Sequence, residues 1–329
     1  MKRRQLISSL SLPFACGTLC ALSLPVRAQG KYPDRPITYI VAYTPGSAND
    51  ILVRIMAPEL GTNLGGTIVV ENRPGAGGTV GMAAVARSRP DGYTLGLGST
   101  ATMAVNRALY KKLPYDPLVD FQPVVPFAST PNVLVVPANS SVRSTQELIT
   151  RMDGKKLNYS SPGNGTTQHL AGVLFTNVTG KQAEHVPYRG PAEAVQALVS
   201  GEVDYGFASL PSAIGQIRSG RLRLLGATPL KPPPSLPEAR SLASQGLAGF
   251  DRTDVWFGLV VPTGTPEPVV RALEQASLKT LSNADVRSKL TAAGYDPAPP
   301  ATPKEFSDFV KDQVAFWTEL VKKSGATVD

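Results

Sequence analysis

The chain has 329 residues, of which 42% are hydrophobic and 18% charged, with 30 glycines and 30 prolines. This length is sufficient for about two domains, and the composition is too apolar for a disordered chain and too rich in turn residues for a coiled coil. The formal net charge is +8, but four basic residues lie in the first 28 positions, and the remainder holds 29 basic against 25 acidic residues without a basic run interleaved with aromatics. We therefore expect a globular protein that binds no nucleic acid.

The first 28 residues have the form of an export signal. Lys2, Arg3 and Arg4 precede an apolar run over residues 6–24, and the segment closes on Val26-Arg27-Ala28, with small residues at positions −3 and −1 of a signal-peptidase site. We predict cleavage after Ala28 and a periplasmic mature chain. The paired arginines leave the twin-arginine route open beside general export.

Both cysteines, Cys16 and Cys20, fall inside this leader, so the mature chain can form no disulfide. Neither follows residues that favour lipid attachment, and a secreted protein is preferred over a lipoprotein. No second apolar run of about 18 residues follows, which argues against a retained membrane anchor.

From Pro36 onward, β-rich runs alternate with amphipathic stretches. The clearest helix has apolar residues at helical spacing from Ile51 to Leu60, and the preceding Ser47-Ala48-Asn49-Asp50 has the form of a capping box. The first predicted strands cover residues 37–42, 67–70 and 93–97. Their order with the intervening helices is βαβαβ, which predicts a parallel, doubly wound sheet.

The same alternation then runs a second time. Strands are predicted at 133–136, 157–160, 185–188, 203–207 and 222–227, with helices at 145–151, 167–177, 193–200 and 212–219. The proline-rich segment 231–237 should be a surface loop. A strand at 256–261 precedes helices at 267–281, 284–293 and 302–323, and the wide apolar stripe of the last helix should pack back onto the first domain.

A chain that leaves one α/β domain, builds another and returns must cross twice. We place the crossings near residues 122–130 and 256–262. The expected organisation is a leader at 1–28, a first lobe at 29–128 plus 258–329, and a second lobe at 129–257, with a cleft between the lobes.

Four polar, glycine-rich turns follow predicted strands and open helices, at residues 43–50, 72–79, 98–100 and 160–169. Open α/β sheets bind ligands at the carboxyl ends of their strands. Glycine permits close approach, and a helix start offers free N–H groups and a partial positive charge, so such turns hold carboxylates or phosphates without lysine or arginine. Each turn alone is compatible with an ordinary strand-to-helix connection, but four facing one cleft indicate an anion site.

Individual side chains allow more than one interpretation. Arg189 follows a strand end and is either a bidentate clamp for a ligand carboxylate or a solvated surface residue. His169 is a helix cap, a surface residue or a ligand contact, whereas His185 begins an apolar strand and is interpreted as structural. For Asp50, a capping role is favoured over hydrogen bonding to the ligand.

Enzyme motifs are not supported. Residues 75–80 lack the last glycine of a dinucleotide fingerprint, 179–182 lack P-loop spacing, and 98–100 is not a nucleophile elbow. Neither histidine has a partner at zinc-ligand spacing, so we expect no metal, no cofactor and no enzymatic activity. An exported serine hydrolase that uses Ser99 or Ser47 with His169 is the alternative from the enzyme class.

Seven segments carry a family resemblance. They are YPDRPI at 32–37, VENRPGAGG at 70–78, PDGYTL at 90–95, HLAG at 169–172, HVPYRG at 185–190, GEVD at 201–204 and WFGL at 256–259. In this order they resemble the substrate-binding receptors of tripartite tricarboxylate transporters, the Bug-type proteins. The similarity runs from about Tyr32 to the C-terminus.

The resemblance implies a periplasmic-binding-protein fold of type II, a Venus flytrap of two doubly wound α/β lobes with two crossover segments. It also implies a receptor, expected to be monomeric, that captures a small organic acid or carboxylated aromatic and delivers it to membrane permease subunits. Presentation of the ligand state to a membrane sensor kinase is the alternative within this fold.

Carried onto this chain, the resemblance combines with the four turns to give one set of candidate ligand-binding residues. Two departures from the family pattern stand out: Pro45-Gly46-Ser47 replaces the usual Ala-Gly-Gly, and Ala208 stands where members often have Asp. Loss of that acceptor weakens the case for an amino-acid ligand. The candidates are Tyr43, Gly46, Ser47, Asn49, Asp50, Gly77, Gly78, Ser99, Thr100, Gly163, Asn164, Gly165, Thr166, Thr167, His169, Arg189 and Ala208.

Overall fold

The computed structural model describes residues 32–324, with side chains described to residue 322. The predicted leader, its two cysteines and its cleavage site lie outside the described residues. In chain order, the strands and helices are β1 (Ile37–Val41), α1 (Ala48–Leu64), β2 (Ile68–Asn72), α2 (Thr79–Ala86), β3 (Thr94–Ser99), α3 (Asn106–Leu109), β4 (Phe121–Thr130), β5 (Asn132–Pro137), α4 (Thr145–Gly154), β6 (Leu157–Ser161), α5 (Thr167–Thr179), β7 (Ala183–Pro187), α6 (Pro191–Ser200), β8 (Tyr205–Ser209), α7 (Leu210–Arg218), β9 (Leu222–Ala227), β10 (Val255–Pro262), α8 (Glu267–Ser282), α9 (Ala284–Ala292), β11 (Asp296–Pro297) and α10 (Pro303–Ser324).

The strands form two sheets with a common plan. The first has the order β11-β4-β10-β3-β1-β2 and the second β7-β6-β8-β5-β9. Strand β1 is parallel to both of its neighbours, and so is β6 in the second sheet. Strand β10 is antiparallel to β3 and β4, and β5 is antiparallel to β8 and β9. Two α/β lobes result, as the sequence predicts.

The parallel sheet predicted from the βαβαβ segment is confirmed for β1, β2 and β3, while the short β11 lies antiparallel to β4. Two longer strands also run antiparallel to both of their neighbours, β10 in the first lobe and β5 in the second. Each of these strands follows a passage from the other lobe, so it enters its sheet from the opposite end and runs against its neighbours. Strand β5 follows β4 after Pro131 alone, and β10 follows the segment 228–254, which includes the predicted proline-rich loop. The parallel βαβ geometry holds within each lobe.

Strand β4 is the main element that the sequence analysis treated as a connection. It carries Pro123 and Pro126, yet it pairs with β10 from Thr130 opposite Val255 to Phe121 opposite Pro262. The register shifts twice along this pair, each time beside a proline. Because proline has no N–H to donate, such bulges let a strand continue past it. The predicted lobe boundaries at 128/129 and 257/258 fall inside these two strands.

Apolar side chains fill both faces of each sheet. Helices α1, α8 and α9 cover one face of the first sheet, around Leu52 and Phe257. Helix α10 covers part of the other face through Phe306. Further along, Trp317 of α10 shares a buried cluster with Leu170 of α5. The last helix therefore contacts both lobes and not only the first.

Candidate functional site

The start of α1 is shaped by two hydrogen bonds that run in opposite directions. The Oγ of Ser47 accepts from the N–H of Asp50 at 3.2 Å, and the carboxylate of Asp50 accepts from the N–H of Gly46 at 3.0 Å. Gly46 has φ +78°, a conformation that glycine adopts without strain. Among the described residues, the N–H groups of Ala48 and Asn49 have no acceptor, so two donors are free at this helix start.

The carboxylate of Asp50 also connects this turn to neighbouring side chains. Its Oδ1 accepts from Arg54 Nε at 2.9 Å and from Asn72 Nδ2 at 3.0 Å, and the same Nδ2 donates to the carbonyl of Tyr43 at 3.0 Å. Burial acts to raise the pKa of the Asp50 carboxyl, but the hydrogen bonds from Arg54, Gly46 and Asn72 bring that pKa below its usual value. The carboxylate is therefore ionised, and it accepts three hydrogen bonds that hold the turn.

The start of α5 in the second lobe repeats this arrangement. The Oγ1 of Thr166 donates to the carbonyl of Gly163 at 2.8 Å and accepts from the N–H of His169 at 3.3 Å. Within the described part of the chain, the N–H groups of Thr167 and Gln168 have no acceptor. Each lobe thus contributes two free amides at a helix N-terminus, where the helix dipole places about half a positive charge.

All four free amides belong to residues that line one small space between the lobes, here called the inner cavity. Its volume is about 30 Å³, enough for about one or two water molecules. None of the residues that line it is charged. They are Tyr43, Ala48, Asn49, Ser99, Ala101, Pro162, Thr166, Thr167, Gln168, Pro191, Ser209, Val255 and Phe257.

A wider depression, here called the outer groove, opens on the far side of Tyr43 and Pro162, which line both spaces. Its volume is about 730 Å³. The Tyr43 hydroxyl donates to the carbonyl of Gly77 at 3.1 Å, which fixes the ring between cavity and groove. The groove is lined by Tyr43, Thr44, Pro74, Gly75, Ala76, Gly77, Gly78, Tyr110, Pro162, Gly163, Asn164, Tyr188, Arg189 and Glu193.

The two lobes touch at glycines along this groove. A Cβ on Gly190 would lie 2.5 Å from Thr44 Oγ1, and one on Gly77 would lie 3.2 Å from the Asn164 carbonyl oxygen. Gly77 also has φ +63°. Since any side chain at Gly190 would collide with Thr44, the closed arrangement of the lobes depends on the absence of one.

The inner cavity is tied to both passages between the lobes. Gln168 Nε2 donates to Asn132 Oδ1 at 2.7 Å, and Asn132 Nδ2 donates to the carbonyl of Thr253 at 3.2 Å. In the first lobe, Thr100 Oγ1 accepts from the N–H of Trp256 at 2.8 Å. Asn132 begins β5 after the first passage, and Thr253 and Trp256 flank the return. Groups beside the cavity therefore hold the segments about which the lobes would move.

His169 lies beneath the α5 turn and not in the cavity wall. Its Nδ1 accepts from the N–H of Gly165 at 3.3 Å, and its ring stacks on His185 with centroids 4.2 Å apart. Burial lowers the pKa of His169 to about 4, and burial together with the neighbouring His169 lowers that of His185 to about 3. Both rings are therefore neutral at pH 7.

The serine hydrolase alternative requires a hydrogen bond that the described residues do not form. Ser47 pairs with Asp50, and Ser99 pairs with Thr102 Oγ1 at 3.2 Å, while neither bonds to His169. Within the described part of the chain, the serine and histidine joined by a hydrogen bond are instead Ser161 and His185, with Oγ and Nε2 2.6 Å apart.

The 17 candidate residues therefore fall into three groups. Tyr43, Asn49, Ser99, Thr166 and Thr167 line the inner cavity. Tyr43 again, with Gly77, Gly78, Gly163, Asn164 and Arg189, lines the outer groove. Gly46, Ser47, Asp50, Thr100, Gly165, His169 and Ala208 line neither.

Arg189 and Ala208 lie outside the inner cavity for different reasons. The Arg189 side chain is 90% exposed and pairs with Glu193 at 3.0 Å, so its guanidinium points along the surface helix and already has a carboxylate partner. Ala208 is buried in β8 against the apolar cluster beneath α6 and α7.

Several residues of the inner cavity were absent from the candidates. Gln168 and Ser209 are polar, and Ser209 ends a strand directly before a helix, a signal that the strand-end rule would have found. Phe257 lies in the wall of the inner cavity because the pairing of β10 with β3 places it opposite Ser99. No local pattern connects those two positions.

The comparisons with known proteins identify the family. Residues 52–326 match the family model for the tripartite tricarboxylate transporter family receptor, TctC. The chain belongs to this family. It is therefore a solute-binding receptor of a tripartite tricarboxylate transporter, in a family of receptors and not of enzymes.

Three solved structures resemble this receptor closely. The periplasmic binding protein BugD is 30% identical with a TM-score of 0.86, over 90% of this chain and 99% of that one. Rpa4515 of R. palustris with adipate is 31% identical with a TM-score of 0.86, over 90% and 100%. MatC from Rhodopseudomonas palustris with bound malate is 31% identical with a TM-score of 0.83, over 88% and 100%. The receptor thus has the fold of periplasmic binding proteins, and among its described helices none has the length and hydropathy needed to span a membrane.

Proposed function

We propose that this receptor captures a small carboxylate between its two lobes, at the inner cavity, and delivers it to the membrane permease subunits of its transporter. The carrying observation is that four residues with free N–H groups, from two helix N-termini in different lobes, line one space whose lining residues carry no charge. Helix N-termini attract anions in this way. The adipate and malate bound by two related proteins support a carboxylate over other anions.

Ligand binding and lobe closure would be one event in this mechanism. An inner cavity of about 30 Å³ is too small for an organic acid. The lobes must therefore open to admit the ligand and close around it at a slightly wider separation. A ligand that touches the N–H pairs of both lobes prefers the closed form, and only such a preference shifts the population. The closed form is the shape we propose the permease recognises.

Export and organisation complete the proposal. We infer cleavage after Ala28, release of the mature chain into the periplasm and action as a monomer. For the moving bodies, we retain a first lobe of 29–128 plus 258–329 and a second lobe of 129–257. Of the 17 candidates, those in the inner cavity contact the ligand in this proposal, and those in the outer groove border its entry.

Thermal unfolding of the mature chain against mono- and dicarboxylates, aromatic acids, amino acids and sugars tests the function. A carboxylate present at 100 times its Kd should stabilise the protein by about 2.7 kcal/mol. The same acid should reduce the radius of gyration in solution scattering, because it favours the closed form. A response to sugars or cations alone would contradict the proposed ligand class.

A further inference from the structure

Asn49 is a buried amide in the wall of the inner cavity that lacks hydrogen-bond partners. The residue is 8% exposed, and its Oδ1 is buried with no partner among the described residues. Its Nδ2 also makes no hydrogen bond in that part of the chain. Of the other polar side chains at this wall, those of Ser99, Thr166 and Gln168 make hydrogen bonds within the protein. Burying an amide in this way is unfavourable unless something else supplies the partner.

The position of Asn49 indicates where that partner lies on the ligand. Asn49 is the second residue of α1, and its own N–H is one of the two free amides of this helix start. A carboxylate held by the N–H groups of Ala48 and Asn49 therefore lies beside the Asn49 side chain. The group that meets this side chain belongs on the carbon next to the carboxylate.

The charge of the surroundings decides between the two common donors, an ammonium and a hydroxyl. None of the residues that line the cavity is acidic, and the carboxylate of Asp50 is occupied by Arg54, Gly46 and Asn72 outside the wall. Two helix N-termini also make the cavity positive, which disfavours a cation. A hydroxyl is neutral and can donate to Oδ1 while it accepts from Nδ2.

We infer that Asn49 is a specificity-determining residue that recognises a hydroxyl group next to the ligand carboxylate, so that the receptor prefers 2-hydroxy acids to the same acids without the hydroxyl. This inference rests on the proposed function. It concerns discrimination between acids, whereas the proposed function concerns the binding of acids as a class.

The test compares matched acids on matched variants by calorimetry, with malate against succinate and lactate against propionate. The wild type should bind the hydroxy acid of a pair at least about tenfold more tightly, because a site that hydrogen-bonds a hydroxyl discriminates against its absence. In Asn49→Leu, which keeps the size and branching of the side chain, the ratio within each pair should fall to about 1. Asn177→Leu, the same substitution at an exposed position of α5 outside the inner cavity and the outer groove, should leave the ratio as in the wild type.

Unfolding without ligand separates recognition from a structural role. Because Asn49 has no partner in the protein, Asn49→Leu should unfold at the wild-type temperature or above it, whereas a structural amide would lower that temperature. Equal binding of both acids of each pair by the wild type, or an unchanged ratio in Asn49→Leu, would overturn the inference and leave the proposed function intact. Failure of every acid to bind would overturn both.

Discussion

Replacing Ala48 with proline removes one of the four free N–H donors and leaves the helix able to form. Ala48 is the first residue of α1, where proline is well tolerated, and Ser47 before it has φ −70° and ψ 159°, which suits a following proline. A hydrogen bond to a charged group contributes about 1.5–3 kcal/mol. Its loss should therefore weaken carboxylate binding by roughly 10- to 150-fold.

Calorimetry with the acid that stabilises the wild type most would measure this change. The matched control is Ala284→Pro, because Ala284 is the exposed first residue of α9 and Asn283 before it has a similar conformation, with φ −67° and ψ 122°. The control should bind as the wild type does and, because Ala284 is exposed, should unfold within about 0.5 kcal/mol of it. An unchanged Kd in a normally folded Ala48→Pro variant would refute the role of the α1 amides.

Two further predictions address closure and acidity. Gly190→Val should hold the lobes apart through its collision with Thr44. The affinity for the ligand should fall at least about tenfold, and the radius of gyration of the ligand-bound protein should increase. Gly215→Ala, at a position with open space around it, should change neither quantity. A Gly190→Val complex as compact as the wild-type complex would contradict the closure mechanism. Burial lowers the pKa of His169 from 6.5 to about 4. As the pH falls below 6.5, this imidazole is therefore protonated in the unfolded chain before it is protonated in the folded protein. The contribution of neutral His169 to the free energy of unfolding is complete above pH 6.5 and is lost as the pH falls toward 4. In urea unfolding, the free energy of unfolding of His169→Phe should decline less between pH 6.5 and 4 than that of the wild type. An equal decline in both proteins would contradict the lowered pKa of His169.

Local patterns account for much of the fold. Apolar runs and glycine-rich turns give the strands and helices of both lobes, because a βα unit is specified by neighbouring residues. The direction of β5 and β10 is not specified locally, since it depends on which lobe the chain has just left. The sequence pattern predicts a crossing near residues 122–130, where the structure has β4. Pro123 and Pro126 are unusual in an interior strand, and only its pairing with β10 explains how bulges accommodate them.

For the candidate site too, local patterns predict some residues, while others depend on contacts between distant parts of the chain. Turn composition led to Asn49, Ser99 and Thr167, whose position at the wall follows from the strand-end rule. Turn composition could not distinguish residues that face the cavity from residues that hold the turn. Asp50 accepts a hydrogen bond from the backbone of the turn, whereas the neighbouring Asn49 side chain has no such partner. Phe257 reaches the wall only through pairing of β10 with β3, a contact between distant parts of the chain.

The hydrogen bonds beside the inner cavity explain how a ligand would bias the position of the lobes. Gln168 has a backbone N–H free at the cavity, while its side chain holds Asn132 at the first passage between the lobes. Thr100 holds Trp256 at the return passage, one residue from Ser99 in the cavity wall. An anion held at the start of α5 therefore contacts a residue whose side chain is hydrogen-bonded to the first passage, and Thr100 makes the corresponding bond to the return passage beside the cavity wall. In the proposed site the attraction comes from helix dipoles of both lobes and not from a fixed cation. Separating the lobes therefore moves the two helix N-termini apart and weakens the electrostatic potential at the site, so the motion that opens the site also favours release of the ligand.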